Sequence, residues 1–153
     1  MDNFSTALNN ILVEIYRDVI NLEEKTLKSV DNRIRLSIRE IHFLEAVSMG
    51  KEEGLSVSEL AEVLDVTKPS VTVAVNKLEK KGYLERRHDE NDGRSVKVIL
   101  TAEGAKINAF HQYYHRRMVK SISDDLTEEE KQFLVSTISK LSTYFKQSIE
   151  NIK

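Results

Sequence analysis

Two helix start signals that lie close together constrain this chain more than any other feature. Ser56, with Glu59 three residues later, forms a capping box, and Thr67 is a good N-cap with Pro69 in the first turn of the next helix. The first helix must therefore end within a few residues of the start of the second. Two short helices joined by such a turn form a helix-turn-helix, whose second helix can lie in the major groove of DNA.

The second of these helices has one face suited to packing and one suited to DNA. Val71, Val75 and Leu78 recur at helical spacing and should face inward. On the outer face, methyl groups can meet thymine, an amide can pair with adenine, and ammonium groups can meet phosphate. A solvated polar face is the plain alternative. The candidate DNA contacts of this helix are Thr67, Lys68, Pro69, Ser70, Thr72, Val73, Asn76 and Lys77.

Two alternating segments predict a β-hairpin directly after the helix-turn-helix. Residues 83–88 and 95–100 are the predicted strands, and residues 91–93 supply the turn between them. A hairpin in this position is a wing, and Arg94 at its tip can enter a narrow minor groove, where the potential is most negative. Asp92 could hold the guanidinium of Arg94. The alternative is an ordinary turn with an exposed ion pair, which adds little stability.

Charge is distributed unevenly along the chain. The net charge of the 153 residues is −2, which by itself does not indicate nucleic-acid binding. Residues 67–97, however, carry eight Lys or Arg residues against five Asp or Glu residues, a net charge of +3, which leaves −5 on the remainder. Positive charge on the predicted reading element provides an electrostatic footprint for DNA, and the acidic remainder disfavours misoriented binding.

Helical periodicity predicts four more helices around this unit. The first covers residues 3–29, and the last two would leave, together with it, a large apolar surface on a monomer. A helical homodimer interface is therefore expected. The start signals of the other three helices are the Ser37–Glu40 capping box, Thr101, and the Thr127–Glu130 capping box.

Several classes of protein are disfavoured by what the sequence lacks. No apolar run is long enough to span a membrane, and the N-terminus does not have the layout of a signal peptide, so a cytoplasmic location is expected. Cysteine is absent, which removes disulfides and thiolate metal ligands. No phosphate-binding loop or nucleophile elbow is found, so an enzyme is not expected.

At this point the chain resembles the MarR family of winged-helix regulators. The resemblance implies a mainly α fold with a small β-wing, and a homodimer that reads an inverted repeat in double-stranded DNA. Residues 3–35 and 101–152 would form the helical dimerisation region, and residues 36–100 the winged helix-turn-helix. Gly93 departs from the family, where many members carry a second Arg. The matching residues are 58–61, 68–71, 78–83 followed by Arg86, the Asp92-Gly93-Arg94 run, and 100–104; Arg86 joins the DNA contacts on this basis.

A closer resemblance is to the branch of the family that represses fatty-acid biosynthesis in low-GC Gram-positive bacteria, the FabT-like regulators. It is carried by residues 20–27, 36–42, 68–73 and 111–119. This resemblance implies long-chain acyl-acyl carrier protein as corepressor. An acyl chain could enter a channel between the helices, although the same residues could simply fill the core. The candidate effector residues are Ile15, Val19, Ile41, His42, Leu44, Phe110 and Tyr114.

Histidines suggest a different effector. His111 and His115 are four residues apart, so they share a helix face, and His42 could join them with Glu23 or Glu24 as a carboxylate ligand. Our candidate metal set is Glu24, His42, His111 and His115. DNA binding itself should require no cofactor, but some MarR relatives are zinc sensors. Ordinary core or solvated histidines are the plain alternative, and a protein-interaction module or a metal-dependent hydrolase are the rival classes.

Overall fold

The computed structural model describes residues 2–30, 36–88 and 96–152. Within these residues the chain is mainly α-helical, with one small antiparallel sheet, and the predicted fold class is confirmed. The elements are α1 (Asn3–Val30), α2 (Ile38–Ser48), α3 (Val57–Leu64), α4 (Lys68–Lys80), β1 (Leu84–His88), β2 (Val96–Leu100), α5 (Ala102–Asp124) and α6 (Glu128–Ile152).

Side-chain caps fix where α2 and α3 begin, as the sequence predicted. At the start of α2, the backbone N–H of Ser37 donates to Glu40 Oε2 at 2.8 Å, and the N–H of Glu40 donates to Ser37 Oγ at 3.3 Å. Ser56 and Glu59 make the same pair of bonds at 2.7 and 3.2 Å at the start of α3. Each box satisfies backbone donors that the first turn of a helix leaves without an acceptor.

A glycine turns the chain from α4 into the hairpin. Gly82 has φ +81°, a left-handed conformation that a residue with a Cβ adopts only at a cost. Its N–H donates to the Glu79 carbonyl at 2.9 Å, and the Tyr83 N–H donates to the Leu78 carbonyl at 3.0 Å. These bonds close the C-terminus of α4. The hairpin therefore starts at a fixed angle to the helix.

The wing strands pair antiparallel, with Leu84 opposite Leu100 and His88 opposite Val96. Leu55, just before α3, adds a bridge to the sheet: its N–H donates to the Val98 carbonyl at 3.1 Å and its carbonyl accepts from the Val98 N–H at 2.7 Å. The sheet is therefore attached to the helix-turn-helix on one edge.

One hydrophobic core holds the helix-turn-helix and the base of the wing together. Most of its residues come from α2, α3, α4 and both strands, and Leu27 of α1 and Ile107 of α5 join them, so the recognition unit packs as a single body. Burial removes apolar surface from water and is the main force that fixes α4 here. The largest side chains with almost no exposure are Ile41, Leu44, Leu60, Leu78, Leu84, Val47, Val71, Val75 and Val98.

The chain forms two compact units, Met1–His111 and Gln112–Lys153. The second unit contains the end of α5 and all of α6, and no residue of α6 is buried. The predicted division at residues 35/36 and 100/101 stays a prediction. Among the described residues, no helix is both long enough and apolar enough to cross a membrane.

Candidate nucleic-acid interface

The outer face of α4 is exposed along its length. Val71, Val75 and Leu78 point into the core, as predicted. Val73, on the opposite face, is 67% exposed, so its methyl groups are available for an apolar contact. The exposed residues include every candidate contact that the sequence placed on this helix and its cap: Thr67, Lys68, Pro69, Ser70, Thr72, Val73, Asn76 and Lys77.

Hydroxyl groups at the start of α4 are held by local hydrogen bonds. Thr67 Oγ1 accepts from the Ser70 N–H at 3.3 Å and shares a 2.8 Å hydrogen bond with Ser70 Oγ. Thr72 Oγ1 donates to the Lys68 carbonyl at 3.0 Å. The hydroxyl oxygens are thus fixed in orientation, while the Val73 methyl groups stand free for an apolar contact.

Asn76 and Arg86, both expected to contact DNA, contact each other. Arg86 Nη2 donates to Asn76 Oδ1 at 2.7 Å, and Arg86 Nη1 pairs with Glu79. The guanidinium therefore ties β1 to α4 across the turn at Gly82. This contact has no direct signal in the sequence, because it depends on how the turn folds the strand back onto the helix.

Two lysines of the recognition region are paired with one carboxylate of α2. Lys81 Nζ lies 2.7 Å from Glu40 Oε1, and Lys77 Nζ lies 3.1 Å from the same oxygen. Burial raises the pKa of Glu40, but hydrogen bonds from Lys81, the Ser37 backbone and Lys77 outweigh it and lower the pKa from 4.5 to about 2. Glu40 therefore carries its charge at neutral pH and links α2 to α4.

The capping carboxylate of α3 makes an equivalent link to the wing. Lys97 Nζ on β2 donates to Glu59 Oε2 at 2.8 Å. This hydrogen bond, followed by those from the Ser56 backbone and side chain, lowers the pKa of Glu59 from 4.5 to about 2. The two capping boxes thus start helices and also connect α2 and α3 to the elements expected to touch DNA.

The tip of the wing lies outside the described residues. Asp92 and Arg94 fall in the 89–95 segment, so the minor-groove contact of Arg94 and its pairing with Asp92 stay predictions.

A second cluster lies in the first unit around Glu23. The side chain of Glu23 is 4% exposed; its Oε2 lies 3.7 Å from His42 Nε2 and its Oε1 lies 3.8 Å from His111 Nε2. Glu45 Oε2 lies 3.8 Å from the other ring nitrogen of His111. The carboxylate beside the histidines is thus Glu23 rather than Glu24, which is exposed, because adjacent residues of a helix point in directions about 100° apart.

Candidate effector residues fall into two groups by burial. Ile41 and Leu44 are 1% and 0% exposed and belong to the core, whereas Ile15 and Val19 are 54% and 36% exposed. Phe110 is half-buried in the first unit, and so are Tyr114 and His115 in the second. Core filling therefore accounts for Ile41 and Leu44, and an effector role for the whole set stays a prediction.

Exposed α4, the paired strands and the supporting helices define a winged helix-turn-helix protein. Residues 36–95 match the MarR family model. The HTH-type transcriptional regulator YhjH of Bacillus subtilis is 30% identical over 93% of this chain and 90% of its own length. The chain belongs to the MarR family of DNA-binding transcriptional regulators, and the hydrolase class is excluded because the family and this relative are regulators.

Solved structures agree with this assignment. Streptococcus pneumoniae FabT in complex with DNA has a TM-score of 0.78 and 33% identity, covering 97% of this chain and 99% of that one. A mutant MarR from E. coli complexed with operator DNA has a TM-score of 0.66 at 24% identity, covering 92% and 99%, and supports the fold.

Proposed function

We propose that this regulator is a homodimeric repressor that reads an inverted repeat and controls fatty-acid biosynthesis, with long-chain acyl-acyl carrier protein as corepressor. The observation that carries the proposal is the likeness to DNA-bound FabT over 97% of the chain. The FabT-like residues noted in the sequence extend through α1, α2, α4 and α5, beyond the DNA-binding unit alone. The resemblance therefore supports a proposal about the effector as well as about DNA binding.

Exposed apolar side chains support the homodimer. In α6 of the second unit, Phe133 is 75% exposed and Ile152 is 85% exposed, and no residue of this 25-residue helix is buried. In α1 of the first unit, Phe4 and Tyr16 are each 72% exposed. Long helices gain most of their stability by burying such a face, so a second copy of the chain is the expected partner.

A dimer gives the effector a way to act on DNA. Two recognition helices bind successive major grooves only when they are about one helical turn apart, roughly 34–36 Å. A ligand changes DNA affinity only as far as it binds one separation more tightly than the other. The exposed Ile15 and Val19 of α1 leave apolar surface that an acyl chain could cover. The corepressor would then favour the separation that matches DNA.

Fluorescence anisotropy tests this proposal. The duplexes are inverted repeats from the protein's own promoter and from a fatty-acid synthesis promoter, titrated with and without long-chain acyl-acyl carrier protein. We expect the acylated carrier to tighten binding and the unacylated carrier to have no effect. DNA binding without an acyl response would reject the corepressor, and undetectable or salt-insensitive DNA binding would favour a protein-interaction module instead.

Zinc is a second candidate effector, favoured by the cluster around Glu23. Ligand atoms bound tetrahedrally to zinc at about 2.0–2.1 Å lie about 3.3 Å from one another. The 3.7 and 3.8 Å distances from Glu23 to His42 and His111 are close to this spacing. Glu45 Oε2 lies 3.8 Å from the other ring nitrogen of His111, so a small approach would let it accept a hydrogen bond there, as outer carboxylates do beside metal-binding histidines. Glu23, His42 and His111 of the first unit offer donor types that zinc accepts, and His115 stays a further ligand predicted from its spacing to His111 in the sequence.

Zinc binding is measured by competition with a chelator of known affinity. We expect one zinc ion per protomer in the wild type, and much weaker binding in His42→Ala and His115→Ala. His88→Ala is the matched control, because His88 lies on β1, away from this set in the sequence. Equal zinc retention in all four proteins, or loss of zinc from the wild type on dialysis, would reject the site.

A further inference from the structure

The two lysines bound by Glu40 differ in how tightly they are held. Lys81 Nζ donates a 2.7 Å hydrogen bond to Glu40 Oε1, and its side chain is 28% exposed. Lys77 Nζ lies at 3.1 Å from that oxygen, and its side chain is 61% exposed. The carboxylate itself is only 12% exposed. Of the two lysines, Lys81 is therefore the closer and less exposed partner of Glu40, and Lys77 is the more distant and more exposed one.

We propose that Glu40 competes with DNA phosphate for Lys77, so that this carboxylate sets how strongly α4 binds the DNA backbone. Lys81 is the permanent partner of Glu40, and Lys77 is the exchangeable one. The proposal rests on α4 being the DNA-reading helix, as in the proposed function, and adds a residue of α2 that does not itself touch DNA.

The exchange is physically inexpensive. A lysine ammonium is a point charge with three donors on a flexible stem, so it can turn from a carboxylate to a phosphate without moving the helix. The Lys77 side chain is 61% exposed, so solvent screens its ion pair with Glu40 and breaking that pair costs little. When Lys77 leaves, Glu40 still accepts from Lys81 and from the Ser37 N–H, so no buried carboxylate loses all its partners.

This arrangement affects overall affinity and leaves base preference unchanged. Phosphate contacts position a protein on DNA and carry no sequence information, so an effect acting through Lys77 should be the same for specific and unrelated duplexes. Glu40 is accordingly a positioning residue. It weakens binding to every sequence by keeping one cation partly neutralised.

Glu40→Gln removes the charge and retains the helix start. Gln can replace Glu at the third position of a capping box, so the bond to the Ser37 N–H is preserved. The test is a double-mutant cycle of wild type, Glu40→Gln, Lys77→Ala and the double variant, with DNA affinity measured by anisotropy over a salt series. Glu62→Gln is the control for loss of a negative charge, because Glu62 is exposed on α3 and makes no ion pair within the described residues.

We expect Glu40→Gln to tighten binding about two- to fivefold, equally for operator and scrambled duplexes, which is the size of an exposed ion pair expressed as an affinity. In the Lys77→Ala background the gain should fall below about twofold. An equal gain in that background, an equal gain from Glu62→Gln, or no gain at all would overturn the proposal.

Two further measurements separate the causes of failure. If the wild type binds no operator duplex, the DNA-binding assignment of α4 fails first; if it binds but the cycle shows no coupling, only the role of Glu40 fails. Urea unfolding identifies a Glu40→Gln protein that is not folded. Glu40→Asp then replaces it, because a carboxylate shorter by one methylene withdraws from Lys77 at constant charge, and it should also tighten binding.

Discussion

Substitution of Glu59 by Gln should make the stability of the protein less dependent on pH. Gln retains the capping box with Ser56 and removes the ion pair with Lys97, so the variant isolates the link between α3 and the wing. The pKa of Glu59 falls from 4.5 to about 2, a shift that at face value corresponds to about 3 kcal/mol. Because the Glu59 side chain is 46% exposed, solvent screening reduces the expected contribution to about 1 kcal/mol.

The sign of the pH effect follows from the direction of the shift. A carboxylate whose pKa is lower in the folded than in the unfolded chain contributes its full stability above pH 4.5 and loses it as the pH falls toward 2. Urea unfolding of wild type and Glu59→Gln at fixed protein concentration, from pH 7 to pH 3, should therefore show a difference of about 1 kcal/mol that shrinks below pH 4.5. A difference that is absent at pH 7, or constant down to pH 3, would refute the link.

Three further substitutions test other parts of the structure. Leu78→Ala removes a side chain with no exposure from the core under α4 and should lower the unfolding free energy by about 2–5 kcal/mol in urea titrations; a loss below 1 kcal/mol would contradict the packing. Gly82→Ala places a Cβ at φ +81° and should cost about 1–2 kcal/mol in the same assay, whereas an unchanged value would contradict the turn. Arg94→Ala should cost about 1–3 kcal/mol of operator binding and weaken A/T preference in anisotropy, and unchanged preference would reject the minor-groove role.

Features fixed by neighbouring residues could be predicted from the sequence. Helix caps depend on a side chain and the backbone three residues away, so they can be recognised without knowledge of the fold. This applies to the capping boxes at Ser37 and Ser56 and to the N-cap at Thr67. The inner face of α4 was also readable, because burial of Val71, Val75 and Leu78 repeats the helical period.

Contacts between distant parts of the chain could not be predicted in this way. Glu40 lies far along the sequence from Lys77, and their pairing depends on how α2 packs beside α4. Arg86 had a motif that suggested DNA, but the turn at Gly82 directs its guanidinium to Asn76. The type of a residue thus indicates which interactions it can make, whereas its actual partner depends on the tertiary packing.

The sequence alone did not decide whether Glu23 or Glu24 is the carboxylate beside the histidines, and the reason lies in α1. Apolar residues cover a wide part of the surface of α1, so the sequence does not define which side of the helix faces the rest of the first unit. The structure places Glu23 on the buried side, next to His42 and His111.

DNA binding by a Val73→Asp variant tests most directly whether α4 reads DNA. Val73 is 67% exposed, so the substitution should leave the unfolding free energy within about 0.5 kcal/mol of the wild type, while placing a carboxylate where base edges and phosphates would lie. Val63→Asp on α3, at a residue 45% exposed, is the matched control. Anisotropy with the inverted repeat should show a loss of affinity of about 100-fold or more for Val73→Asp and a much smaller loss for Val63→Asp. Wild-type affinity in a folded Val73→Asp protein would show that α4 is not the helix that enters the groove.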